Sequence, residues 1–236
     1  VIDALSGSQR AAAHVTSITH HESGVRRIKL ALTREFRHRP GQYLNVVHPD
    51  GGLIPLSIAS APERLPELEL HYRPTPGVIQ SDLMNDLLAR TDASTEWRVD
   101  GPHGSVTLEG SPTDSLWLIA GGTGIAQCCA IVDHLSGVAR TQPVTLLWSV
   151  TDRALLYCDS ELRAFAQWLW YRPLVDAPGS PNAAAEWLRR TDETVSGRVI
   201  LSGSPGFVYA VDDVVRKIVA AGTSIESDVF SYAPRR

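Results

Sequence analysis

Residues 116–135 read LWLIAGGTGIAQCCAIVDHL, and this stretch constrains the fold more than any other. A continuous apolar run from Leu116 to Ala120 enters three glycines within four positions, and a helical pattern begins at once. A strand with no polar alternation is one buried on both faces, which calls for a parallel sheet covered by helices. Backbone amides in a glycine turn at the end of such a strand lie open to close approach, and the following helix N-terminus adds positive potential. The same turn also serves plain close packing of helix on strand. Its spacing differs from the G-x-G-x-x-G fingerprint.

A second stretch repeats the design. VILSGSPGFVYAVDDVV runs from an apolar strand through Ser202-Gly203-Ser204-Pro205-Gly206 into a helix. With the run PVTLLWSV between them, residues 115–236 read β-α-β-α-β, with helices expected over 125–136, 158–170 and 207–221. Two glycine-bearing turns at strand ends in one sheet can line one cleft, although a serine at a helix start also serves as a simple cap.

Residues 12–110 follow a different pattern. AHVTSITHHESGVRRIKLAL alternates and breaks at Ser23-Gly24, the mark of a hairpin. GQYLNVVHP closes in the turn cluster Pro49-Asp50-Gly51-Gly52, and LIPLSIAS and LELHYRP are further short strands. Leu83, Met84, Leu87 and Leu88 recur at helical spacing, with Ser81 or Asp82 placed to cap a helix over 81–90. WRVDGPHGSVTL reads as strand, turn, strand. Several short strands and one helix imply a small antiparallel barrel. The expected organisation is therefore two domains, an antiparallel β-barrel over 1–110 and an α/β domain with a parallel sheet over 111–236.

Charge narrows the function. The net charge is −4, and residues 1–110 and 111–236 each carry 11 Lys and Arg against 13 Asp and Glu, so neither half is a basic nucleic-acid module. Cys128, Cys129 and Cys158 fit neither a disulfide framework nor a four-thiolate iron–sulfur cluster, and imply a reducing, cytoplasmic setting. The chain shows no apolar stretch long enough to span a membrane and no secretion signal at its first residues. His103 and the pair His20-His21 lack metal-ligand spacing, and no metal site is expected.

Seven segments in order carry a resemblance: RPGQYLNV, IPLSIASAP, LELHYRP, DGPHGSVTL, LIAGGTGIA, ILSGSP and SDVFSYAP. Over residues 12–233 the chain resembles the ferredoxin–NADP reductase superfamily, and within it the NAD(P)H:flavin oxidoreductases. The resemblance implies a flavin-binding barrel followed by a nicotinamide-binding α/β domain. It implies that Pro55, Leu56, Ser57 and Ile58 border the flavin, with the Ser57 hydroxyl near the reactive N5 as the catalytic group. The family pattern there is Arg-Pro-aromatic-Ser; here Ile54 replaces the arginine and Leu56 the aromatic, which removes a phosphate contact and some stacking. Arg73 or Arg39 is placed to substitute. His71 and Tyr72 match the strand bordering the flavin. Gly77 and Ser81 partly match a Gly-x-x-Ser pyrophosphate element, Ser81 serving equally as a cap. Gly121, Gly122, Thr123 and Gly124 match the turn facing nicotinamide and pyrophosphate, as do Ser202, Gly203 and Ser204 the later one. Gln127 stands where some members have proline. Asp152 favours NADH by bonding a ribose hydroxyl, and Arg153 favours NADPH.

The implied reaction is hydride transfer from NADH or NADPH to FMN or FAD, the protein supplying alignment. Weak flavin holding favours release of reduced flavin to a separate monooxygenase. An FAD-holding reductase passing electrons to a ferredoxin-like iron–sulfur or haem partner is the alternative, with Arg34, Arg37, His38 and Arg39 as a docking patch or a solvated hairpin. A non-catalytic relative that binds a nucleotide or partner is the third reading.

Overall fold

The computed structural model describes residues 8–92, 94–179 and 182–235. Residues 1–7, part of the stretch read for a secretion signal, lie outside the described residues. The chain divides into two units, residues 8–107 with 129–134, and residues 108–128 with 135–235. Among the described residues no helix is long and apolar enough to cross a membrane.

The first unit is a curled antiparallel sheet. Its strands are β1 (Gln9–His20), β2 (Arg26–Leu32), β3 (Tyr43–Val47), β4 (Leu53–Ser57), β5 (Glu67–Tyr72) and β6 (Glu96–His103). Their order is β4-β3-β6-β1-β2-β5, and an antiparallel bridge between Ile58 and Leu70 brings the two outer strands together. Period-two alternation sends Ile28, Leu30, Leu44, Val46, Ile54, Leu68, Leu70, Trp97 and Val99 inward. Each such side chain contributes roughly 1.5–3 kcal/mol relative to exposure. Helix α1 (Ile79–Ala89) adds Met84 and Leu87 to this core.

Two local expectations differ here. Helix α1 begins at Ile79 after Val78, and no side chain caps it. Ser81 instead sits inside the first turn, where its hydroxyl accepts from the Thr75 N–H at 2.9 Å and fixes the loop before the helix. Residues 105–108, expected as a strand, form none; Val106 and Leu108 are buried as loop anchors. A buried alternating pair reads as a strand in sequence, but a strand needs a ladder partner.

The second unit holds a wholly parallel sheet. Strand β7 (Leu116–Gly121) leads to α2 (Ile125–Ser136), whose residues 129–134 group with the first unit. There follow β8 (Val144–Val150), α3 (Asp159–Arg163), β9 (Leu169–Val175), α4 (Ala183–Arg190), β10 (Arg198–Ser202), α5 (Pro205–Ile218), β11 (Ser224–Glu226) and α6 (Val229–Tyr232). The strand order is β11-β10-β7-β8-β9. The chain winds outward from β7 through β8 to β9, then returns across β7 to β10. The order therefore reverses between β7 and β10, whose register pairs Ala120 with Ser202.

The helix expected over 158–170 ends at Arg163, and Leu169 opens β9. The reason is chemical: Trp170 and Tyr171 favour a strand, and Pro173 cannot continue a helix. Strand β9 is the sheet edge, which admits a proline. Strands β9 and β11 and helix α4 extend the β-α-β-α-β expectation.

Candidate functional site

In an open parallel sheet, ligands bind beyond the carboxyl ends of the strands, where strand order reverses. Both glycine turns lie at that point, at the ends of β7 and β10. Their glycines do different things. A Cβ on Gly121 would stand 2.5 Å from Cγ of Phe207, and one on Gly203 would stand 2.9 Å from Cδ1 of the same ring. A Cβ on Gly124 would meet the Ser202 carbonyl oxygen at 2.5 Å. Those three glycines are explained by packing: one aromatic ring lies over both turns, and the turns press backbone to backbone.

Gly122 is different. It has φ +54°, in the left-handed region, and open space where its Cβ would be. The Trp148 indole donates to its carbonyl at 2.9 Å and holds the turn in place. The residues 122–124 form a single tight turn with no side-chain cap on its N–H groups. By contrast Ser204 caps α5, accepting from the Phe207 N–H at 3.4 Å. Ser202 is buried at the strand end and is not the cap. No side chain caps the turn after β7, whereas Ser204 caps one N–H of α5, and amides at such a strand end suit a pyrophosphate. Cys128, one turn into α2, is sealed away; burial pushes its thiol up to about 12, which leaves it unreactive. Asp152 already accepts from the Ala154 N–H at 2.8 Å, with its second carboxylate oxygen left over, and Arg153 is exposed beside it.

The first unit presents a second candidate surface. Ladder partners share a face, so Ser57 on β4, Tyr43 on β3 and His103 on β6 form one row across the outer side of the sheet. Tyr43 and His103 rings lie 5.4 Å apart, and His103 Nε2 is 3.0 Å from Asp100 Oδ1. The half-buried Ser57 hydroxyl has no hydrogen-bond partner among the described residues. Pro55 shares this outer face and is exposed. Ile54, Leu56 and Ile58 alternate to the other side: Ile54 and Ile58 are core residues and Leu56 packs on them. The side chains of Leu56 and Ile58 therefore lie on the face opposite Pro55 and Ser57, so the four residues expected to border one ligand do not share a surface. Strand parity is the reason.

His71 and Tyr72 are both sequestered. Tyr72 is a core residue whose hydroxyl donates to the Ser81 carbonyl at 2.9 Å. His71 Nε2 lies 2.9 Å from Glu69 Oε1, which also accepts from Arg27 Nε at 2.6 Å. Burial alone would raise the Glu69 carboxyl, but hydrogen bonds from His71 and Arg27 outweigh it and bring the group down to about 2. Arg73, the next outward residue on this strand end, is exposed. The arginine patch is smaller than the sequence implies. His38 is buried with Nε2 at 3.2 Å from the Ser60 carbonyl, and burial lowers its pKa. Arg37 is paired with Glu35.

Sequence reasoning missed Tyr43 and His103 as neighbours of Ser57. The only signal was ladder register, which no single segment carries. Among the described residues no cluster of His, Cys, Asp and Glu is arranged to hold a metal ion.

No protein-family model matches the chain. It is 28% identical over 173 residues to a probable flavin reductase of Photobacterium leiognathi, covering 73% of each chain. It is 34% identical over 151 residues to the NAD(P)H-flavin reductase of Vibrio harveyi, covering 63% of each, so the match spans less than two thirds of that relative. In fold it is similar to the ferredoxin reductase in carbazole 1,9a-dioxygenase, with a TM-score of 0.75 at 19% identity, covering 96% of this chain and 70% of that one. With its curled antiparallel sheet followed by a parallel sheet whose order reverses at a glycine turn, the chain shares the fold of that ferredoxin reductase and is similar in sequence to flavin reductases.

Proposed function

We propose that the chain is an NAD(P)H-dependent flavin reductase, with residues 1–110 as its flavin domain and 111–236 as its nicotinamide domain. One observation carries the reading: the uncapped amides and open space at Gly122 coincide with the reversal of strand order between β7 and β10. Gly121, Gly122, Thr123 and Gly124, with Ser202, Gly203 and Ser204 beside them, form the dinucleotide turn. The β7 amides hold the pyrophosphate, and Asp152 and Arg153 meet the adenosine ribose. When bound, the flavin supplies the hydride-accepting chemistry. This chain's contribution is positional: Ser57 offers a hydroxyl that both donates and accepts, at the position reserved for flavin N5. Pro55, Tyr43 and His103, on the same face as Ser57, would hold the flavin. Leu56, Ile58, His71 and Tyr72 act from behind it, by backbone and packing, and Ser81 acts by fixing the loop before α1.

Reduced flavin then passes to a separate oxygenase. The loss of the arginine and aromatic at Ile54 and Leu56 supports flavin as a substrate that leaves, and the three cysteines, none in a disulfide, suit a cytoplasmic setting. The test is nicotinamide oxidation by the purified protein, with and without added FMN, FAD and riboflavin. Oxidation dependent on added flavin supports the reading. A tightly bound flavin that bleaches with NADH points instead to a reductase component serving an iron–sulfur or haem partner. No flavin binding and no oxidation overturns the enzyme reading in favour of a binding subunit.

A further inference from the structure

The Ser57 hydroxyl has no hydrogen-bond partner among the described residues, so its place is set by the backbone on either side of it. Before it, the β3–β4 ladder pairs Ser57 with Tyr43. After it, the chain leaves β4 through Ile58, Ala59, Ser60 and Ala61, and each of them is tied down. The Ile58 N–H donates to the Gln42 carbonyl at 3.0 Å, and the Ala59 N–H to the Glu69 carbonyl at 2.7 Å. The Ser60 hydroxyl accepts from the Glu69 N–H at 3.0 Å. Those three ties come from residues on or beside β3 and β5. The fourth does not. The Ala61 N–H donates to Asp133 Oδ2 at 3.0 Å, an acceptor 72 residues away in sequence. Asp133 is carried by α2, in the part of that helix that groups with the first unit.

The contact is built as a fixed acceptor. Arg64 grips the same carboxylate with two donors, Nη2 to Oδ1 at 2.7 Å and Nε to Oδ2 at 3.1 Å, the two-pronged fit of guanidinium to carboxylate. That grip stops the carboxylate turning and keeps Oδ2 aimed at the amide. Arg64 is 63% exposed, so as a source of stability the ion pair contributes little. Ala61 is 1% exposed, and a buried amide without an acceptor is costly. The Ala61 carbonyl accepts from the Arg64 N–H at 3.0 Å, which closes the turn over residues 62–64 on the same point. Next along α2, His134 Nδ1 lies 2.8 Å from Glu63 Oε1, so α2 holds this turn at both of its charged residues.

We propose that Asp133 is a positioning residue for the flavin site: it holds the exit of β4 through the Ala61 amide and thereby sets where the Ser57 hydroxyl stands. The inference rests on the flavin-reductase reading, in which Ser57 meets the flavin, and adds to it a residue that acts only through the backbone. Arg64 acts one step further out, by orienting the Asp133 carboxylate.

The test is a mutant cycle with added FMN, in which Asp133→Ala, Asp133→Asn and Arg64→Gln are each made alone and together with Ser57→Ala. Asp133→Ala strips the amide of its acceptor and lowers kcat about three- to tenfold, with KM for NADH unchanged. Asp133→Asn keeps an acceptor oxygen and recovers most of that loss. Arg64→Gln only frees the carboxylate to turn and costs about twofold. In the Ser57→Ala background Asp133→Ala costs nothing further, because residues that act as one unit do not add. Hydrogen exchange in the flavin-free protein is the second readout. The Ala61 amide exchanges at least about tenfold faster in Asp133→Ala, while that of Leu30, on β2 between β1 and β5, keeps its wild-type rate. A wild-type kcat or a wild-type Ala61 exchange rate in Asp133→Ala overturns the positioning role and leaves the flavin reading standing. So does a loss that multiplies with that of Ser57→Ala, or a loss in Asp133→Asn as deep as in Asp133→Ala. If Asp133→Ala does not fold, Arg64→Gln with and without Ser57→Ala carries the same comparison. Wild type that shows no flavin-dependent oxidation overturns the flavin reading and this inference with it.

Discussion

The two candidate surfaces are built from different materials. At the ends of β7 and β10 the working groups are backbone amides, shaped by where side chains are missing. On the outer face of β3, β4 and β6 they are side chains, placed by ladder register. A backbone site tolerates changes of side chain but not of volume. A side-chain site tolerates changes of volume but loses its chemistry with one atom.

Five substitutions sharpen this contrast, taken from the largest expected effect down. Glu69 is ionised in a nearly enclosed site with His71 and Arg27, and its folded pKa of about 2 lies below the usual 4.5. A depressed carboxyl stabilises the fold above the ordinary carboxylate range, and that stability is lost as pH falls toward 2. The difference corresponds to about 3 kcal/mol. Glu69→Gln should remove that part of the acid dependence in urea titrations between pH 5 and about 2. An unchanged acid slope would show that the outer face does not depend on this carboxylate.

Gly124→Ala forces a methyl into the Ser202 carbonyl, and backbone cannot step aside as a side chain can. A loss of about 1–3 kcal/mol is expected, together with weakened NADH binding. Gly122→Ala is the control: space is open there, so its stability cost is about 1 kcal/mol from φ alone, and its main effect should be on nucleotide affinity. If both variants bind NADH as wild type does, the turn is only packing.

Ser57→Ala removes one hydroxyl from the other surface. Stability should hold, because that hydroxyl has no hydrogen-bond partner among the described residues. Turnover should fall about tenfold, the scale of one hydrogen bond of about 1.4 kcal/mol. Trp148→Phe is the mildest. It deletes the indole bond to Gly122 at a cost of about 1 kcal/mol, seen as a small drop in melting temperature and a looser turn.

What the sequence made legible follows the same division. The glycine turns, the apolar strands that feed them and the hairpin at Ser23-Gly24 all announce themselves locally, because each is a chain-neighbour pattern. The ladder neighbours of Ser57 and the burial of His38 are not local facts. They depend on which strand lies alongside, and β6, which brings His103 next to Tyr43, is far from β3 in sequence. Strand β9 was hidden for a third reason: its aromatic residues follow a short helix with no glycine between them, so the apolar pattern runs on across the change of conformation.

The Phe207 ring over Gly121 and Gly203 has a consequence for engineering. The two turns cannot be redesigned one at a time, because a single rotamer sets the floor for both. A methyl added at either glycine asks the ring to move, and a moved ring reshapes the other turn. Libraries that vary either turn should change the three positions as one block, or leave the ring and both glycines fixed.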